Sequence, residues 1–259
     1  MPFGQKILWS IPVIPLGIII IITAVGLSII GLSLVRRYAP SRILKTHNEL
    51  TGAIFNALTT AYAVLLAFVV VVSWQNFDKA KYYAETEANS LVDLHRNSAA
   101  FSQPFQNTAH LLLKGYADTV VNEEWEMLAR GEESMQAREL LRKLWSLYTS
   151  YDPKNEKEKI FFAASVQKLE NLREMRRLRI VESGPGVHPV LWFVLIIGGM
   201  TTVSFTFFFG ADSFGAHIIM ASTLAVIISL ILFTILLFDY PFTGSSHIGA
   251  QVFKQVINF

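Results

Sequence analysis

A stripe of amides, hydroxyls and small side chains is the part of this sequence best equipped for chemistry. At about 100° per residue, Asn48, Gly52, Asn56, Thr59, Thr60, Ala63 and Ala67 fall on one side of a helix, beside Phe55 and Tyr62. Ile54, Leu58, Leu65, Phe68 and Val72 face away. Such a stripe has two readings. Small residues with Asn or Thr are common where membrane helices touch. The same groups can instead line a path and replace part of an ion's hydration shell, with Phe55 and Tyr62 as a constriction. No Asp or Glu lies on the stripe, which disfavours proton-coupled transport, because buried carboxylates mark proton relays.

A second group is Arg173, Arg176, Arg177 and Arg179, at helical spacing shortly before an apolar run. It reads either as contact with anionic lipid headgroups or as an anion-concentrating vestibule. Asp239, in Asp239-Tyr-Pro-Phe-Thr-Gly244, closes another apolar run. It marks a turn at the interface followed by a surface-lying helix, or an acidic group at a pore or subunit mouth.

Catalysis finds little support, and no enzyme activity, cofactor or metal site is expected. His47, His95, His110, His188, His217 and His247 are scattered, with no metalloprotease-type pair. The chain has no cysteine, so thiolate zinc sites and cysteine nucleophiles are excluded. Glu123-Glu124-Trp125-Glu126 reads as a solvated helix face, because adjacent helical residues do not face each other. No nucleotide loop or nucleophile elbow is present.

The elements that must position these groups follow from composition. Of 259 residues, 52% are hydrophobic and 16% charged, too apolar for a soluble chain of this length. Four uncharged runs, Ile11 to Val35, Ala53 to Trp74, Pro189 to Phe209 and Ile218 to Phe238, each reach roughly the 20 residues that cross a bilayer. Trp9, Trp74, Trp192 and Tyr240 stand at their ends, where amphipathic rings prefer the headgroup zone. The last two runs form a tight hairpin. Between Gln75 and His188 lie 16 of the 22 Lys+Arg and 17 of the 20 Asp+Glu, so that stretch faces water. Its balanced charge gives no large positive field, and nucleic acid is not an expected partner.

In that stretch the second membrane helix continues without a breaker through Ala80, Ala84, Ala88, Leu91 and Leu94, ending near Gln103-Pro104. Helices are predicted over about Phe105 to Ala129, Ser134 to Tyr148, and Glu156 to Val181, the last opened by an Asn155/Glu158 capping box. Gly184-Pro-Gly186 ends the domain. The fold class is an all-α integral membrane protein. Its parts are a first transmembrane pair (1–74), a soluble helical stalk (75–188), a second pair (189–240) and an interfacial tail (241–259). Four crossings put both termini on the side of the soluble domain. Arg36, Arg37, Arg42 and Lys45 on the short loop compete with Lys6, Lys79, Lys81, the four arginines and Lys254 on the domain side. The positive-inside rule then favours a cytoplasmic domain in an inner or plasma membrane.

The order Asn48-x3-Gly52-x2-Phe55, Tyr62-Ala-Val-Leu-Leu-Ala-Phe68, Trp74, Ala80, Glu87-Ala88, Arg96, Tyr116, Glu124-Trp125, Arg173 to Arg179, Trp192 and Asp239-x-Pro241-Phe242-x-Gly244 resembles the bestrophin-like family. The likeness covers nearly everything after Arg42. Bestrophins are pentameric anion channels whose second membrane helix lines the pore and whose soluble helices are cytosolic. The resemblance implies a homo-oligomeric ion channel of small inorganic ions, pentameric by analogy, embedded in the lipid bilayer. Asn48, Gly52, Asn56, Thr59, Thr60 and Ala63 are then the expected pore-facing residues. The rival expectation is a non-conducting scaffold or stress sensor acting through its soluble helices.

Overall fold

The computed structural model describes residues 2–39, 44–245 and 247–257; Arg42, counted above among the loop charges, lies outside them. Every regular element among the described residues is helical. They form two compact units, Ser10–Gln75 with Gly186–Asp239, and Met1–Trp9 with Asn76–Pro185 and Tyr240–Phe259. Among the described residues, four helices are long and apolar enough to cross a membrane.

The first, membrane unit contains α2 (Val13–Tyr38), the start of α3 (Asn48–Ser98), α8 (Pro189–Phe205) and α9 (Phe214–Asp239). Small residues let these helices approach, as expected where van der Waals packing must substitute for a hydrophobic driving force. A methyl added to Gly31 of α2 would meet the Phe207 ring at 2.5 Å. One added to Gly198 of α8 would meet the Tyr62 ring of α3 at 2.6 Å. That ring lies across Gly198 and Gly199, and its hydroxyl donates to the Leu195 carbonyl at 2.7 Å. We expect Gly198→Ala to cost about 1–3 kcal/mol through overpacking. The Gly198→Ala/Tyr62→Ala double variant should lose less than the sum of the singles, since both act on one contact. Thermal unfolding of the purified variants reads this out.

The second, extramembrane unit contains α1 (Phe3–Ser10), the rest of α3, α4 (Gln103–Thr119), α5 (Trp125–Leu128), α6 (Met135–Thr149), α7 (Glu156–Val181) and α10 (Gln251–Ile257). The helix α3 is unbroken for 51 residues, as the absence of a breaker predicts. It ends at Ser98, before Pro104 takes its place in the first turn of α4. Ala80, Ala84, Ala88, Leu91 and Leu94 are all buried, against Leu113 and Tyr116 of α4, Leu144 of α6 and Leu172 of α7 among others. The predicted cap of α7 is present: Asn155 Oδ1 accepts from the Glu158 N–H, and Glu158 accepts in return from the Asn155 amide, both at 2.9 Å. Gly131, with φ of 75°, ends α5 in the left-handed region open to glycine.

Two features depart from the sequence expectation. The helix read as Phe105 to Ala129 is interrupted by a π-helical turn at Val120–Glu124. The segment after Asp239, expected to lie along the membrane surface, instead contributes Phe242, Phe253 and Val256 to the interior of the extramembrane unit. Trp125 draws it in. Its indole donates to the Ile248 carbonyl at 2.8 Å, and Phe242 and Phe253 pack on its ring.

Candidate functional site

The stripe on α3 is divided by the packing of the membrane unit. The packed face is centred on Tyr62, Leu66, Val69 and Ser73, all buried, so it takes one edge of the stripe and leaves the other outward. Asn48 is tied to Gly210, accepting from its N–H at 2.8 Å and donating to its carbonyl at 3.0 Å. Gly52 is half-buried near Phe209, and Phe55 packs on Phe205 and Phe209. Thr59 returns its hydroxyl proton to the Phe55 carbonyl at 2.7 Å. Tyr62 is only 7% exposed. Of the two rings expected to form a constriction, Tyr62 is buried against the glycine pair of α8, while Phe55 packs half-buried on Phe205 and Phe209.

Asn56, Thr60, Ala63 and Ala67 remain exposed, together with Ala53, Ala57 and Ala61. Among the described residues, neither the Asn56 amide nor the Thr60 hydroxyl has a hydrogen-bond partner. Thr60 differs in this from Thr23, Ser33, Thr202, Thr223 and Thr234, which bond the carbonyl four residues back, and resembles Ser28, Ser73 and Ser222, whose hydroxyls also lack a partner. The outward surfaces of the other spans are built from large apolar side chains, such as Ile18 and Ile22 on α2, Phe193 and Ile197 on α8, and Ile219 and Ile227 on α9. Hydroxyls without a partner occur on the other spans too, at Ser28, Thr201, Ser204 and Ser222, but among the described residues of the four spans α3 is the one that exposes a side-chain amide, beside a run of alanines. Hydrocarbon offers an amide no partner, and leaving it unpaired costs several kcal/mol.

The four arginines do not form one exposed cluster. Arg173 and Arg177 lie at the surface, Arg173 over the Trp145 ring at 5.5 Å and Arg177 paired with Glu174 on its own helix. Arg176 and Arg179 turn inward and are buried. Arg179 donates to Glu87 from Nε at 2.6 Å and from Nη2 at 2.9 Å, and to Glu124 at 2.6 Å. Arg176 donates to the second oxygen of Glu124 at 2.5 Å and to the Ser134 carbonyl at 3.1 Å. A vestibule or headgroup role is thereby corrected for these two, since their charge is already neutralised inside the core.

Glu124 is likewise corrected from the solvated face assigned to it: the π-helical turn brings it to the interior, fully buried. Burial alone would push its carboxyl up, but the charges and hydrogen bonds of Arg179 and Arg176 outweigh that and hold it below its ordinary value. Tyr116 donates to Glu87 at 2.6 Å, and burial beside the Glu87 and Glu124 carboxylates pushes its hydroxyl well up. Trp125 and Phe253 cover the Arg179 guanidinium at 5.1 and 5.7 Å. No local signal announces this network, whose members stand up to 92 positions apart.

Asp239 is 3% exposed and occupied within the membrane unit. One oxygen accepts from the backbone N–H groups of Gly186 and Val187 at 2.8 and 2.6 Å, the other from the Trp192 indole at 3.1 Å. Its carboxylate organises the entry to α8, so it is a positioning group for that helix.

Comparison with known proteins gives a concordant result. A family model described as a bestrophin-like domain matches residues 22–253. No curated protein matches the sequence. Among solved structures, a bacterial bestrophin homolog from Klebsiella pneumoniae, phased by Zn-SAD, superposes with a TM-score of 0.69 at 15% identity, covering 92% of this chain and 96% of that one. Two point-mutant forms of a Klebsiella pneumoniae bestrophin homolog give TM-scores of 0.68 and 0.65 at 13% and 17% identity. They cover 92% and 93% of this chain, and 96% and 98% of theirs. At such identities the likeness is one of fold.

Proposed function

The chain belongs to the bestrophin-like family, and from that membership we propose that it is a homo-oligomeric membrane channel conducting small anions, with the transmembrane part of α3 lining the path. The observation that carries this reading is the exposed Asn56, Thr60 and Ala63 edge of α3, where an amide and a hydroxyl without a partner among the described residues stand beside small side chains on a helix long and apolar enough to span the membrane. An oligomer that gathers several copies of this edge around an axis gives the amides and hydroxyls water to bond and keeps them from lipid. Amide N–H and hydroxyl groups donate to an anion without carrying charge themselves, so they lower its dehydration cost without trapping it. A ring of five copies, by analogy with bestrophins, and a cytoplasmic extramembrane unit complete the proposal.

The test is chloride flux from liposomes holding the purified protein, combined with cysteine accessibility. The chain has no cysteine, so single substitutions report cleanly. Asn56→Cys, Thr60→Cys and Ala63→Cys should react with a charged thiol reagent and lose flux on reaction. Leu66→Cys, at a position 5% exposed and packed inside the unit, should stay unreactive. Absence of flux in the unmodified protein across voltage and pH would overturn the channel and leave the non-conducting scaffold.

A further inference from the structure

The extramembrane unit carries a groove outside the residues assigned above to the conduction path. It lies between α6 and α7 and is an open cleft of about 700 Å³, within the size range of small-molecule sites. Leu141, Trp145, Leu169 and Ile180 give it an apolar floor. Its rim holds the guanidinium groups of Arg138, Arg142, Arg173 and Arg177, of which Arg138 is paired with Glu133, Arg142 with Glu139 and Arg177 with Glu174, while the buried Arg176 is neutralised by Glu124. Apolar carbon below and surface guanidinium groups above, one of them without an ion pair, is the chemistry that receives an amphiphilic anion.

Several of those cations are available. Arg173 makes no ion pair among the described residues and rests over Trp145. Arg177 and Arg142 are held only by surface partners three positions away on their own helices, Glu174 and Glu139. Exposed pairs of that kind are weak and exchange readily for a better acceptor. Arg176 adds an independent sign. It is 6% exposed, and while its Nη2 is bonded to Glu124 and Ser134, its Nε is buried without an acceptor. Buried donors in native structures normally find a partner.

We infer that this groove binds a free single-chain amphiphilic anion of the fatty-acid class, its carboxylate held by Arg173 and Arg177 and its chain laid along Trp145 between the two helices. One apolar floor accommodates one chain. The site is independent of whether the protein conducts.

The experiment uses the full chain in nanodiscs of uncharged phosphatidylcholine, titrated with dibrominated stearate, a short-range quencher of tryptophan fluorescence. Comparison with Trp145→Phe isolates the Trp145 signal. The expected result is saturable quenching of that signal, with the half-saturation point raised by about tenfold in Arg173→Ala/Arg177→Ala, which removes two charge-assisted contacts at exposed positions. Oleate binding measured by calorimetry on the same variants gives a second readout that does not need Trp145. Quenching that is unsaturable, unchanged in the double arginine variant, or matched by the brominated alcohol overturns the proposal. So does quenching by dibrominated phosphatidic acid built into the disc and absent with the free acid, which would make the occupant a bilayer lipid.

Discussion

Arg179→Met is expected to remove about 3–5 kcal/mol of stability, enough to deplete the folded protein, because it leaves the buried Glu87 carboxylate with no counter-charge and Glu124 with Arg176 alone. Glu87, Glu124 and Arg179 all have completely buried side chains. The guanidinium supplies three hydrogen bonds at 2.6 to 2.9 Å to both carboxylates at once. The Trp125 and Phe253 rings cover it at 5.1 and 5.7 Å. Arg177→Met, two residues earlier on the same helix but exposed and paired only with Glu174, should change stability by less than about 1 kcal/mol. Thermal unfolding and folded yield of the two variants measure the contrast; equal losses would contradict the network's role.

The same network sets the response to acid. The folded protein holds Glu124 below its ordinary value of 4.5, so as pH falls the unfolded chain takes up that proton first. The stability this group contributes is complete above the ordinary carboxylate range and is lost as pH falls through its depressed folded value. The unfolding temperature should therefore drop on acidification below about pH 4.5. The drop should be shallower in Arg179→Met, which has already lost the main source of the depression.

Asn56→Leu is expected to lower chloride flux by roughly 10- to 100-fold with little effect on stability. An anion leaving water needs donors at each step, and an unmet hydrogen bond at a dehydrated position costs about 1–3 kcal/mol, which is that factor in rate. Since the exposed Asn56 amide has no hydrogen-bond partner among the described residues, its removal breaks no hydrogen bond there. Tyr62→Phe is the complementary control. It deletes the bond to the Leu195 carbonyl and should cost about 1 kcal/mol in stability, yet leave flux within about twofold, because that ring faces α8. Flux unchanged in Asn56→Leu, or reduced equally in Tyr62→Phe, would count against α3 as the lining.

The sequence by itself determined the four spans, the continuation of α3 past Trp74, the seam from Ala80 to Leu94 and the Asn155 cap of α7. Each is local: an uncharged run as long as a bilayer, a 3.6-residue period, or a side chain reaching the N–H three positions on. The family likeness was legible in the same way, from residues in order along the chain. Which edge of the α3 stripe is free was decided by tertiary structure, because a period says where polar groups lie but not how far a partner rotates the packed face. The glycines of α8 settled that by admitting Tyr62. The fates of Glu124, Arg176 and Arg179 were decided there too. A charge in a helical sequence is solvated by default, and only a counter-charge brought from 55 or 92 positions away can make its burial tolerable.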